Sequence, residues 1–394
     1  MDLDSLFNIS AQMRGKEREF LELDGIVDPH VHGRGKADGR MQMAMRECAG
    51  TYAAIVDVAN IPGRPTQESS RTRLGEMRSC LPAGSAMQLM TVPLVNDTTD
   101  PEMIRRGWDK PDGSEDFHGV KVFWEGVSND FGNSITHIDK ITELLKMSTA
   151  RMRFKTRPMP VTYHAECAKY PDGKKIPIKD REFYCVTTQI AKAVEVNPEA
   201  AHVIRHASDY RTVEWAVDQR ARGVNIHIEL SPQYAILIDD DIFTGNDGLA
   251  VLQCNCVFWP RPKDEQSRSY MAELMLKGYD WVHYGLDYAM HLDDPTKPGG
   301  VKINNQGLAV GGLNFMPSAA VSIVIDYCVS HGKKDILNGL LCTNAAKLYG
   351  IKLQGPKHRF IRADWKVPAY THNGADAKSA CFLADHTMRW KRFQ

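Results

Sequence analysis

The chain is 394 residues long, and its lysines plus arginines equal its aspartates plus glutamates at 49 each. That balance provides no broad field to draw nucleic acid or an anionic membrane, so the expected partner is a small molecule or another subunit. Nine cysteines form no C-x-x-C pair, and the nearest spacing, Cys254 and Cys256, suits neither a zinc ribbon nor a disulfide framework, which fits reduced thiols in a cytosol.

The first residues, MDLDSLFNISAQMRGKEREF, lack a basic start followed by an apolar core, and no later run approaches the roughly 18 apolar residues of a membrane span. The expectation is a soluble, untargeted, cytoplasmic protein. From there, short apolar runs rich in β-branched residues recur in order: LDGIVDP, YAAIVDVAN, AMQLMTVPL, HGVKVFW, MPVTYHAE, AHVIRHAS, VNIHIELS and DWVHYGLD. Amphipathic segments separate several of them, including HIDKITELLKMSTARMR and TVEWAVDQRARG, the latter stopped by Gly223. Eight strands alternating with helices predict one α/β domain over residues 1–394, a (β/α)8 TIM barrel with its site at the carboxyl ends of the strands. No proline- or serine-rich linker divides it, and the segment from about 352 to 394 is expected to pack on the barrel.

The polar residues at the strand ends carry the chemistry. His30 and His32 stand two apart after an apolar run, so on a strand both imidazoles point the same way. Asn60 ends strand two, Lys121 lies inside strand four, His164 ends strand five, His206 ends strand six, and Asp287 ends strand eight with His291 beyond it. Taken singly, each has a plain reading: a solvated His-x-His turn, hydrogen-bonded barrel histidines, a snorkelling lysine, a helix cap at Asp287. Taken together, on one rim, they read as a metal site. His202 and His283 lie four residues before His206 and Asp287, about 13 Å along a strand, and fall outside it; His118 reads as structural. A buried lysine tends to lose its proton, and a neutral amine can take up carbon dioxide to form a carbamate. Its two oxygens would suit a pair of cations roughly 3.5–4 Å apart.

In order along nearly the whole chain, DPHVHGR, IVDVAN, MTVPLVNDTTDPEMIRRG, GVKVFW, TYHAE, IRHAS, SPQY, GLDYAMH, TNAAKLYG and FLADHTMRW resemble the dihydroorotases of the amidohydrolase superfamily, particularly the stand-alone bacterial type. The resemblance implies two zinc ions per subunit, one held by His30, His32 and Asp287, the other by His164 and His206, with carboxylated Lys121 bridging both. It also implies a water activated at the zinc pair, Asp287 as general base and then acid, Arg34, Asn60 and His291 as contacts to a substrate carboxylate, and a homodimer. The implied reaction is reversible hydrolysis of L-dihydroorotate to N-carbamoyl-L-aspartate in pyrimidine synthesis.

The sequence departs from that pattern around the pocket. Gly35-Lys36-Ala37 precede the usual Asp-Gly pair, here Asp38-Gly39; Ser128 and Asn129 replace two threonines of a closing loop; Tyr288 and Met290 fall between Asp287 and His291; and VFWPRPK, with Trp259 and Arg261, is bulky and basic. Two rival readings stay open. One is a binuclear zinc amidohydrolase for another cyclic amide, such as a hydantoinase; the other is a non-catalytic scaffold, from which loss of metal ligands is expected.

Overall fold

The computed structural model describes residues 3, 19–58, 67–110, 114–127, 134–149, 157–243, 258–292, 302–303, 309–310, 314–373 and 377–393. After β1 (Phe20–Leu23), the apolar runs form β2 (Val27–His32), β3 (Ala54–Val58), β4 (Gln88–Val92), β5 (Leu94–Val95), β6 (Val120–Val122), β7 (Pro160–His164), β8 (Ala201–Arg205), β9 (Ile226–Leu230) and β10 (Val282–Tyr284), and the short β11 (Tyr288–Ala289) follows the last of them. β2, β3, β7 and β8 are buried at every position. Parallel strands covered on both faces need this, and it explains why they read as continuous apolar runs rather than alternating ones.

These strands pair in two arcs, β11-β2-β3-β4 and β5-β6-β7-β8-β9-β10, every pairing parallel. β4 and β5 are one strand broken at Pro93, which has no N–H for the ladder. β10 and β11 are likewise two halves of strand eight, separated by Gly285, Leu286 and Asp287. The arcs therefore close as eight strands, the (β/α)8 barrel expected from the sequence.

Helices cover the strands from outside, among them α1 (Arg40–Thr51), α2 (Gln67–Ser79), α3 (Tyr210–Ala221) and α4 (Pro317–Ser330). α3 opens on an Asp209 side chain that accepts from the Arg211 N–H and closes before Gly223, which takes φ +86°, as a C-terminal stop does. The helix expected from His137 onward begins as a 3₁₀ turn at Ile138–Ile141 and is α-helical over Thr142–Met147; the end of that prediction lies outside the described residues.

Two antiparallel pairs follow, β12 (Lys302–Ile303) with β13 (Ala309–Val310), and later β15 (Tyr370–Asn373) with β16 (Ala377–Ala380). Flanking the latter pair in the chain, β14 (His358–Lys366) before it joins both β1 and, after it, β17 (Thr387–Phe393) in an antiparallel sheet. β17 is fixed to α4 where Ser322 Oγ accepts from the Trp390 N–H at 3.0 Å and Arg389 meets Asp326 at 3.1 Å. The seven described cysteines are all buried, and none of them forms a disulfide among the described residues. Among the described residues, no helix is long and apolar enough to cross a membrane.

Gly119 leads into β6 with φ +149°, and a Cβ there would lie 2.7 Å from the Pro160 carbonyl oxygen of the neighbouring strand. Both the backbone angle and the close approach require glycine. Gly119→Ala is expected to lower unfolding free energy by about 1–3 kcal/mol, measured by chemical denaturation.

Candidate metal centre

The carboxyl ends of the strands gather buried polar groups into one cluster. His30 and His32 close β2, and both aim Nε2 at the same oxygen of Asp287: Oδ1 is 3.1 Å from His30 and 2.9 Å from His32. These three residues offer ligand atoms all within 4.8 Å of one another. His164, the last residue of β7, and His206, just past β8, face each other with Nδ1 of the first 3.1 Å from Nε2 of the second. The two groups adjoin, because the His30 and His206 rings stack with centroids 5.3 Å apart.

Lys121 lies within the barrel in β6, fully buried, and its Nζ has no hydrogen-bond partner among the described residues. Burial, with the nearby Arg205 guanidinium adding, holds its amine well below the ordinary lysine range. Burial thus favours the neutral form of the amine. Burial is also the main reason that His30, His164 and His206 titrate below the usual histidine range. Neutral imidazoles with a free lone pair are what a cation needs. Burial alone would raise the Asp287 pKa, but His30, His32 and Lys121 together outweigh it and keep the carboxyl below its ordinary value.

The spacings suit a cation. Ligand atoms at about 2.0–2.1 Å from a tetrahedral zinc are roughly 3.3 Å apart, close to the three separations above. Lys121 Nζ and Nδ1 of buried His206 are further polar atoms here without a hydrogen-bond partner among the described residues.

The backbone here is strained. Arg34, His206 and Asp287 all take positive φ, at 52°, 41° and 56°. Non-glycine residues in that region are held there by their surroundings, and they concentrate at functional sites. For Arg34 the restraint is visible. Asp57 of β3 accepts from the Gly33 N–H at 2.8 Å and pairs with Arg73 of α2 at 2.8 Å, while Arg73 Nη1 donates to the Arg34 carbonyl at 2.5 Å. The Arg34 guanidinium then reaches His291, Nη2 to Nε2 at 3.0 Å. Its Nε is shut off from solvent without a partner among the described residues, and burial, with Arg40 adding, pushes its pKa down to about 10. Asp287 and Asp57 act on it from nearby but do not offset that burial.

Asn60, Ser128 and Asn129 lie outside the described residues. Trp259 is sandwiched between two guanidinium groups, Arg181 at 5.4 Å and Arg261 at 5.0 Å from its ring centroid. Among the histidines set aside, His202 bonds to Tyr163 Oη and the Asn197 carbonyl, and His118 lies before β6 with Nδ1 accepting from the Thr91 N–H.

Several acids at the centre were not among the residues that the sequence singled out. Asp28 Oδ1 accepts from the N–H groups of both His30 and Leu286, tying strand one to strand eight; burial pushes its pKa up to about 7. Glu166 Oε2 holds His164 Nε2 at 2.8 Å, and Glu229 Oε1 holds His30 Nδ1 at 2.6 Å. One signal was available: a carboxylate inside an apolar parallel strand, as in IHIEL, costs too much to bury without a partner.

No protein-family model matches the sequence. A dihydroorotase of Pseudomonas fluorescens is 20% identical over 366 residues, 92% of this chain and 95% of the relative. Among solved structures, a dihydroorotase of Saccharomyces cerevisiae in complex with 5-fluoroorotic acid has TM-score 0.77 at 17% identity, covering 96% of this chain and 99% of that one. A dihydropyrimidinase of Brevibacillus agri has TM-score 0.67 at 16% identity, covering 96% and 83%. The chain thus shares its (β/α)8 barrel fold with these two solved structures.

Proposed function

We propose that this protein is a metal-dependent cyclic amide hydrolase of a single barrel domain, acting on a small molecule, and that its reaction is the interconversion of L-dihydroorotate and N-carbamoyl-L-aspartate. The observation that carries the reading is the juxtaposition of Arg34, whose buried Nε has no hydrogen-bond partner among the described residues, with the His30, His32 and Asp287 cluster. Curated relatives named dihydroorotase, matched over most of the chain, support it.

His30, His32 and Asp287 would hold one zinc and His164 with His206 a second. Lys121, once its neutral amine has taken up carbon dioxide, would offer a carboxylate between them. The pair would polarise the ring carbonyl and lower the pKa of a water. Asp287 takes the proton of the attacking water at its carboxylate as the oxygen–carbon bond forms, then delivers it to the ring nitrogen as the carbon–nitrogen bond breaks. Arg34, anchored through its own carbonyl by Arg73, grips the substrate carboxylate with His291 beside it and sets the scissile amide against Asp287. Asn60 is assigned to the same carboxylate.

A second reading, hydrolysis of a ring without a carboxylate, is favoured by the dihydropyrimidinase and hydantoinase likenesses. Turnover of dihydroorotate against dihydrouracil by the metal-replete protein separates the two, and preference for dihydrouracil removes the role given to Arg34. Arg34→Met is expected to raise KM for dihydroorotate roughly 10- to 100-fold, the value of a lost charge-assisted contact, with zinc content by mass spectrometry unchanged. Lys121→Ala is expected to lose the metal pair, with partial recovery of zinc content and activity in acetate or propionate; full activity without either acid would take Lys121 out of the mechanism.

A further inference from the structure

Glu229 is the buried carboxylate that touches both halves of the cluster. It lies in β9, strand seven, with no exposed surface. Its Oε1 accepts from His30 Nδ1 at 2.6 Å and also from the backbone N–H of His206 at 3.1 Å, while Oε2 meets Arg205 Nη1 at 3.1 Å. We propose that Glu229 is a positioning residue shared by the two halves of the metal centre, orienting the His30 ring and the His206 backbone together so that the halves bind metal as one unit. This rests on the metal-centre reading given above.

The first contact fixes a tautomer. A carboxylate accepting at Nδ1 places the His30 proton there and leaves the lone pair on Nε2, the atom 3.1 Å from Asp287 Oδ1. The second contact fixes a backbone. His206 stands at φ 41°, costly for a residue with a Cβ, and the hydrogen bond from its N–H to Glu229 helps hold the turn that directs its ring at His164. One oxygen thus serves a ring from strand one and a peptide from strand six.

Arg205 closes the arrangement. Fully buried, it pairs with Glu229, and the same Nη1 donates to the carbonyl of Pro29 at 2.7 Å, next to His30; its own backbone leads into His206. The ion pair therefore spans the same two strands as the carboxylate. Strand eight, which lies between strands seven and one, makes way for it: a Cβ on Gly285 would sit 2.5 Å from Glu229 Cγ. A buried ion pair adds little net stability over well-packed apolar residues, so its value here lies in placing groups.

The test is zinc titration by chelator competition on wild type and E229Q. Glutamine keeps the size and one acceptor oxygen but forfeits the charge: with that oxygen on His30 and His206 its amide nitrogen opposes the Arg205 donor, and with the amide turned round it can accept from neither. The expected result is a loss of about 10- to 100-fold in affinity at both zinc sites, with unchanged far-ultraviolet circular dichroism. Loss at one site alone would show that Glu229 serves a single half and overturn the proposal, as would unchanged affinity at both. Wild-type protein that takes up no zinc would overturn the metal-centre reading and this inference with it. If E229Q does not fold, E229D keeps the charge but withdraws the carboxylate by about 1.5 Å, one carbon–carbon bond, and the same loss at both sites is expected.

Discussion

Closure of the eight parallel strands is the constraint on which everything else depends. A ring of strands wrapped in helices excludes water from both faces, so any polar group within it must find a partner inside the protein. The carboxyl ends of β2, β6, β7, β8, β9 and strand eight nevertheless bring in His30, His32, Lys121, His164, Glu229 and Asp287, with His206 just beyond β8, all at most slightly exposed. They are tolerable because each histidine meets a carboxylate or another histidine within about 3 Å. Lys121 is the exception: its amine has no hydrogen-bond partner among the described residues, which makes the cluster more than a satisfied polar core.

A second set of groups holds the first in place. Asp28 binds the peptides beside His30 and Asp287, Asp57 and Arg73 grip the turn at Gly33 and Arg34, and Glu166 and Glu229 take the imidazole nitrogens that face away from the cluster centre. The three strained positions, Arg34, His206 and Asp287, lie inside this frame. Strain of that kind persists where surrounding bonds over-determine the backbone, and here Arg73 on the Arg34 carbonyl and Glu229 on the His206 N–H are two of them. Stiffness around the cluster is also what a site must have if it is to hold reacting groups in fixed geometry.

Much of this was legible before any coordinates. The eight apolar runs are the eight barrel strands, because a parallel strand buried on both faces must be apolar throughout and its punctuation is short. The position of the histidines at strand ends followed from the same runs, since HxH after IVD and a single histidine after VTY or VIR mark where the apolar stretch gives out. The break of strand three at Pro93 was also available, as proline cannot donate to a ladder. Asp28, Asp57, Glu166 and Glu229 were not found, although all four lie inside the runs that were read. A carboxylate in a strand shows that a partner exists but not which one.

What the sequence determined by itself was the alternation of strand and helix, and with it which residues stand at the rim, because periodicity and burial are local properties of a run. What only the tertiary structure decided was who meets whom. His30 with Glu229 and Arg34 with Arg73 join residues 199 and 39 positions apart. Such pairs are set by how the ring closes and by where Gly285 leaves space, quantities that no local pattern encodes.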